Sequence, residues 1–296
     1  MCIRDSNWTH PNPNMFHTWP NDFTRDVEPK ACHSHNDYWR PVPLLSAIAT
    51  GCTGVEADIW LEEGSTELRV GHIASVLSSE RTLRSLYIDP LFQILNHLNP
   101  VSTAMYNLPA AGVFQRDPDI TLVLLLDFKS DGQRLWPLVQ AHLRGLREKN
   151  WLTYWDEDSQ TRVIRPITIV ATGNAPFDLI LGSKTRDIFY DAPLQLLGVI
   201  PYDVFDQSNS YYASASMPGT IGKARFGMDE RQIATISTQI QLAEVHGLVS
   251  RYWDVPAWPI SARNKIWVRL IYLGIGMLNV DNLDSATRWD LSLIHI

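Results

Sequence analysis

Two acids alternate with apolar residues in Val55-Glu56-Ala57-Asp58-Ile59-Trp60. Side chains two apart on an extended strand share a face, so Glu56 and Asp58 point together while Val55, Ala57 and Ile59 form an opposite face suited to packing. Two neighbouring carboxylates away from water repel each other, and burial disfavours their ionised forms. They coexist by sharing a proton, by Arg or Lys compensation, or by binding a cation, and a divalent metal is the simplest remedy. An edge strand with both acids in water is the bland alternative, but it leaves the apolar face unexplained.

A second segment repeats the theme. In Leu124-Leu125-Leu126-Asp127-Phe128-Lys129 the run turns polar at its end, with Asp127 and Lys129 on one face. Asp127 can join the two acids and Lys129 can supply positive charge to an anion; an Asp–Lys pair capping a strand is the plainer reading. His33-Ser34-His35-Asn36 follows a first short strand, and His72 ends a hairpin strand beside the acids. Imidazoles at several strand ends beside three carboxylates fit an acid/base pair around a metal. His97, His142 and His246 fall in helical or loop contexts and read as structural.

Such a site needs strands that deliver these residues to one end. Short apolar runs recur at Ala31-Cys32, Val55 to Trp60, Thr121 to Phe128, Ile164 to Ala171, Ile188 to Tyr190, Tyr211 to Ser214, Gly247 to Trp253 and Met277 to Val280, with Leu68 to Val70 as a hairpin return. Amphipathic stretches such as Val42 to Thr50, Gln133 to Lys149 and Asp229 to His246 lie between them. About eight strands alternating with helices predict a (β/α)8 TIM barrel, with active-site groups at the C-terminal ends of the strands. A doubly wound open sheet would carry a Gly-rich phosphate loop after its first strand, and there is none. The barrel is expected over residues 30–290, after a lead-in loop at 7–29, with its last helix starting near Asp284 and cut short at Asp290.

The ends read as foreign. Codons for Met1 to Ser6, reverse-complemented in frame, encode Leu291 to Ile296, as expected of a sequencing adaptor translated at both ends. Residues 1–6 and 291–296 are therefore set aside, and compartment is left open. Cys32 and Cys52 are then two cysteines, expected as small buried residues rather than as a bridge or metal site. A net charge of −7 without clustered Lys and Arg argues against a duplex nucleic-acid partner, while one local pocket can still take a phosphate ester. The eleven tryptophans read as packing between strands and helices. No apolar run is long enough to span a bilayer.

These residues resemble the phospholipase C-like and glycerophosphodiester phosphodiesterase-like barrels. Ser34-His35-Asn36-Asp37-Tyr38 is similar to the Ser-His-Asn-Thr-Tyr of phosphoinositide phospholipase C, and Gly51 to Trp60 to its Gly-Cys-x-x-Val-Glu-Leu-Asp-x-Trp. Gly71-His72 falls where that family has its second histidine. Leu126 to Lys129 is similar to the Ile-Glu-Ile-Lys of glycerophosphodiesterases, and Tyr252-Trp253-Asp254-Val255 to their Trp-Thr-Val-Asn, which puts Trp253 with Lys129 at the substrate. His-Ser-His-Asn-Asp-Tyr resembles most closely the fungal "altered inheritance of mitochondria" proteins.

The resemblance implies a metal-dependent phosphoric diester hydrolase acting on a small-molecule or lipid phosphodiester. One Ca²⁺ or Mg²⁺ would be held by Asn36, Glu56, Asp58 and Asp127, with His35 as base, His72 as acid and His33 a rival for the base. A monomer that meets a membrane surface only through its substrate is the expected form. The chain departs from the glycerophosphodiesterases in lacking His-Arg-Gly and Pro-Glu-Asn-Thr, and Asp127 replaces a longer Glu. Sphingomyelinase D enzymes share the His, Glu-x-Asp, His layout, so headgroup removal from a phospholipid is one subclass. Two other readings stand beside this one. One is a catalytically silent barrel used for binding. The other is a Zn-dependent amidohydrolase-type barrel using His33-x-His35 and Asp281, for which the histidines expected between His142 and His246 are absent.

Overall fold

A computed structural model describes residues 22–100, 109–201, 203–224 and 227–287. The expectations for residues 1–6 and 291–296, for the start of the lead-in loop and for the cut at Asp290 lie outside them.

Eight parallel strands form the barrel: β1 (Lys30–Ser34), β2 (Cys52–Leu61), β3 (Leu122–Phe128), β4 (Ile167–Gly173), β5 (Ile188–Pro193), β6 (Ser210–Ser216), β7 (Val249–Trp253) and β8 (Leu278–Val280). They pair in the order β7-β6-β5-β4-β3-β2-β1-β8. A single parallel bridge, Arg251 to Met277, joins the two ends, so the barrel is nearly closed. Leu122 to Leu126 are buried without alternation, as in a parallel strand covered on both faces. On β2 the alternation sorts the faces: Val55, Ala57 and Ile59 join the apolar core, and Glu56 and Asp58 point the other way, into the barrel.

The helices are α1 (Leu45–Ala49), α2 (Asp89–Leu98), α3 (Gly132–His142), α4 (Arg144–Glu148), α5 (Phe177–Leu181), α6 (Met217–Ile221), α7 (Glu230–Val245), α8 (Ile260–Tyr272) and α9 (Leu283–Thr287). Asp229 caps α7 in a reciprocal pair with Gln232, which satisfies amide N–H groups that the first turn leaves unpaired. The single helix expected over Gln133 to Lys149 is two, divided at Leu143. An antiparallel hairpin, Tyr154–Asp156 with Thr161–Val163, precedes β4 and shortens the strand expected from Ile164.

One expectation is overturned. Cys32 and Cys52 form a disulfide, buried between β1 and β2. The pairing register of these strands shifts between Lys30 and His33, and the two Cα atoms lie 4.7 Å apart, within bridging reach. Two cysteines are too few for a framework, but enough to join two adjacent strands.

Candidate active site

The ends of β1, β2 and β3 converge. Asp58 and Asp127 are direct register partners across β2 and β3, and Glu56 lies two residues back on the same inward face of β2. Ligand oxygens of Glu56, Asp58 and Asp127 all lie within 4.8 Å of one another. Asp58 is 1% exposed and its Oδ1 has no hydrogen-bond partner. Its Oδ2 accepts from Lys129 Nζ at 3.1 Å, and Lys129 also donates to Asp127 Oδ2 at 2.6 Å. Burial, then the charges of Glu56 and Asp127, push Asp58 up to about 6. Burial also raises Asp127. Burial would raise Glu56 too, but the facing imidazole of His33 and the charges of His35 and Arg251 hold it well below the usual carboxylate range.

Gly173 makes room for this cluster. It has φ +67° at the end of β4, and a Cβ there would stand 2.2 Å from Asp127 Oδ1, so only glycine fits.

Each histidine has a different seat. His33 is fully buried, edge-on to Tyr212, with Nε2 3.9 Å from Glu56 Oε2 and no hydrogen bond there; burial lowers it to about 4. Gly54 leaves the space this ring occupies, since a Cβ would come within 2.5 Å of His33 Nδ1. His35 sits higher at the mouth, with Nε2 3.7 Å from Glu56 Oε2 and Nδ1 2.7 Å from Asp281 Oδ1. Burial opposes its charge, but Asp281 and Glu56 prevail and raise it. His72 follows the strand Leu68–Val70, which pairs antiparallel with the end of β2. Its Nδ1 lies 3.3 Å from Asp58 Oδ2 and 3.2 Å from the Tyr38 hydroxyl. Asn36, left-handed at φ 48°, donates its backbone N–H to Glu56 Oε2 at 3.0 Å, while its side-chain oxygen accepts from Tyr38.

The structure therefore brings together His35, His72, Asn36, Glu56, Asp58, Asp127 and Lys129, with His33 beneath them. Trp253 ends β7 at the rim, 40% exposed, and joins none of these contacts. His33 and His35 both turn Nε2 toward Glu56 Oε2. Among the described residues the only grouping of three metal-ligating side chains is the acidic triad. That grouping contains no histidine, unlike the two-histidine zinc layout. An all-oxygen donor set with one bare, buried carboxylate oxygen suits a hard cation such as Ca²⁺ or Mg²⁺.

Sequence reasoning missed three participants. Tyr38 bridges Asn36 and His72. Asp281 was assigned only to the zinc reading, yet it partners His35. Arg251, 3% exposed, donates to Ser214 Oγ (3.0 Å), Asn279 Oδ1 (2.9 Å) and Asp191 Oδ2 (3.2 Å) inside the barrel. Period-two alternation along β7 carried a signal for it, because Val249, Arg251 and Trp253 share a face.

Comparison with known proteins identifies the family. Residues 21–191 match the AIM6-like phosphodiesterase domain. The chain is 37% identical to the Altered inheritance of mitochondria protein 6 homolog of Arthroderma benhamiae, over 90% of this chain and 86% of that one. It is 37% identical to Altered inheritance of mitochondria protein 6 of Eremothecium gossypii (90% and 71% covered) and 33% identical to that of Saccharomyces cerevisiae (89% and 71%). Among solved structures it is similar to a glycerophosphodiester phosphodiesterase from Parabacteroides distasonis, at 14% identity and a TM-score of 0.46, covering 90% of this chain and 98% of that one. With the domain matched over more than half of its length and these identities beside it, the chain belongs to the AIM6-like phosphodiesterase family.

Proposed function

We propose that this barrel is a divalent-cation-dependent phosphoric diester hydrolase whose substrate is a phospholipid or a glycerophosphodiester-like molecule. The observation that carries the reading is the triad of Glu56, Asp58 and Asp127, the first two buried and Asp127 half-buried, with one oxygen of Asp58 bare, between two imidazoles of different setting.

Glu56, Asp58 and Asp127, with Asn36 beside Glu56, would hold Ca²⁺ or Mg²⁺. Such a cation, when bound, would supply neutralising charge for a phosphoryl oxygen of the diester. His35 Nε2 takes the proton from the attacking oxygen, which belongs to water or to a substrate hydroxyl. The electron pair of that oxygen forms the new O–P bond. The bond to the leaving oxygen breaks, and the leaving oxygen keeps its pair and receives a proton from His72. Lys129, anchored on Asp58 and Asp127, adds fixed positive charge at the same mouth. His33, fully buried, faces Glu56 from below, which favours His35 over it as the base.

Glu56→Ala and Asp58→Ala are expected to abolish both calorimetric binding of Ca²⁺ or Mg²⁺ and hydrolysis of a chromogenic diester, and His97→Ala to change neither. Undiminished hydrolysis by the Glu56 variant would refute the proposal. A panel of phospholipids and glycerophosphodiesters then identifies the headgroup.

A further inference from the structure

Two histidines close helices in the same way and end differently. His142 ends α3 and His246 follows α7, and each turns Nδ1 onto the backbone oxygen four residues earlier, Leu138 O at 2.8 Å and Leu242 O at 2.7 Å. A carbonyl oxygen only accepts, so Nδ1 carries the proton in both rings, and the neutral ring offers a lone pair at Nε2. Nε2 of His246 lies 2.8 Å from Asp203 Oδ1. His142 has no such neighbour. Its nearest carboxylate oxygen, Glu67 Oε2, stands 3.7 Å away, beyond hydrogen-bond length. Nε2 therefore has no hydrogen-bond partner among the described residues, although the side chain is only 7% exposed. A buried polar atom left in that state costs free energy, which a guest that bonds to it recovers.

His142 and Glu67 both line a groove of about 550 Å³ between α2 and the α3–α4 pair. Ile88, Phe92, Leu138 and Leu146 give it apolar walls. Of its charged groups, Arg84 and Asp89 pair with each other at 3.3 Å, which leaves Glu67 without a Lys or Arg partner among the described residues. The last carbonyls of α3 add the negative end of a helix dipole beside His142. Two acceptors 3.7 Å apart are spaced for one donor atom that sits about 2.8–3.0 Å from each. A transition metal would need a third ligand, and no trio of His, Cys, Asp or Glu gathers here among the described residues. We propose that this groove binds an organic ammonium, a primary amine on a short apolar body, with its N–H groups shared between His142 Nε2 and Glu67 and its hydrocarbon laid against Phe92 and Leu138. The groove shares no residue with the acidic mouth of the barrel.

Isothermal titration of the full chain with n-hexylammonium, n-hexanol and n-hexyltrimethylammonium tests this. Hexylammonium should fill one saturable site. It should bind about tenfold or more tighter than hexanol, which has no charge, and than the trimethyl compound, which has no N–H to donate. Lengthening the chain from butyl to hexyl should tighten binding roughly three- to fourfold per methylene. His142→Phe and Glu67→Gln should each weaken hexylammonium about tenfold. Gly145→Met should weaken it too, by filling the groove from α4, since a Cβ at Gly145 would already meet Phe92 at 3.6 Å. Asp58→Asn should leave the affinity unchanged, which separates this groove from the acidic triad. The three ligands are compared on the wild type, so that comparison decides even where a variant folds poorly. Equal affinity for hexanol or for the trimethyl compound, or no saturable binding of hexylammonium, would overturn the proposal. So would binding that survives both His142→Phe and Gly145→Met, or that is lost in Asp58→Asn.

Discussion

At the residue scale, Asp58 shows how a site can be built against stability. Its carboxylate is buried, flanked by two other acids and only partly compensated by Lys129, and one oxygen is left without a partner. Replacing it by Asn removes one of the repelling charges and gives the neighbouring carboxylates an N–H donor. Asp58→Asn is therefore expected to be more stable than the wild type in chelator, by about 1–3 kcal/mol. It should also lose the stabilisation that a cation confers, roughly 2.7 kcal/mol at a hundredfold excess over Kd. Thermal melts with EDTA and with added Ca²⁺ or Mg²⁺ check both halves; a variant that melts below the wild type in EDTA contradicts the like-charge account. The acids, His35 and His72 were legible because strand alternation and position after a strand are local signals. The 35–281 and 191–251 pairs were not, because each joins residues 60 or more positions apart and only strand order brings them together.

At the element scale, the strand that leads to His35 and the strand that carries the first two acids are bolted to each other. β1 leads to His35 and β2 carries Glu56 and Asp58, and the Cys32–Cys52 disulfide fixes one against the other within the core. The bridge spans 20 residues of sequence, and removing a loop constraint of that size from the unfolded chain costs about 3 kcal/mol. Cys32→Ala/Cys52→Ala should accordingly unfold at lower denaturant by about that amount under non-reducing conditions, while wild type and variant converge when the wild type is reduced. Equal midpoints without reductant would show that the bridge contributes nothing. The strands themselves were readable from their apolar runs, because parallel strands buried on both faces carry little else. Two features escaped. The hairpin before β4 consists of three-residue strands too short to show a period, and the disulfide depends on a register shift that no spacing along the chain records.

For the molecule as a whole, the weak place is the seam. Seven of the eight neighbouring strand contacts are ladders, but β7 meets the β8 side through one bridge, and β8 has three residues. Arg251 sits at that seam and reaches across the interior to Asp191 on β5, Ser214 on β6 and Asn279 on β8, tying strands from both sides of it. A chain with net charge −7 thus places one of its few buried cations where closure needs it and where the acidic mouth draws on its charge, since Arg251 also helps keep Glu56 ionised. Burial pushes Asp191 upward and Arg251 is the first influence to pull it back, so the pair depends on both members. Arg251→Met should leave Asp191 buried without its cation and destabilise the barrel by about 3–5 kcal/mol, measured by urea unfolding. Arg251→Met/Asp191→Leu removes both charges and should recover much of that loss, because well-packed apolar groups commonly replace a buried ion pair at little cost. Cation affinity should fall in both variants, because Glu56 loses the same positive neighbour in each. If Arg251→Met unfolds with the wild type, or the double variant is weaker than the single one, the seam is held by the apolar core and not by this arginine.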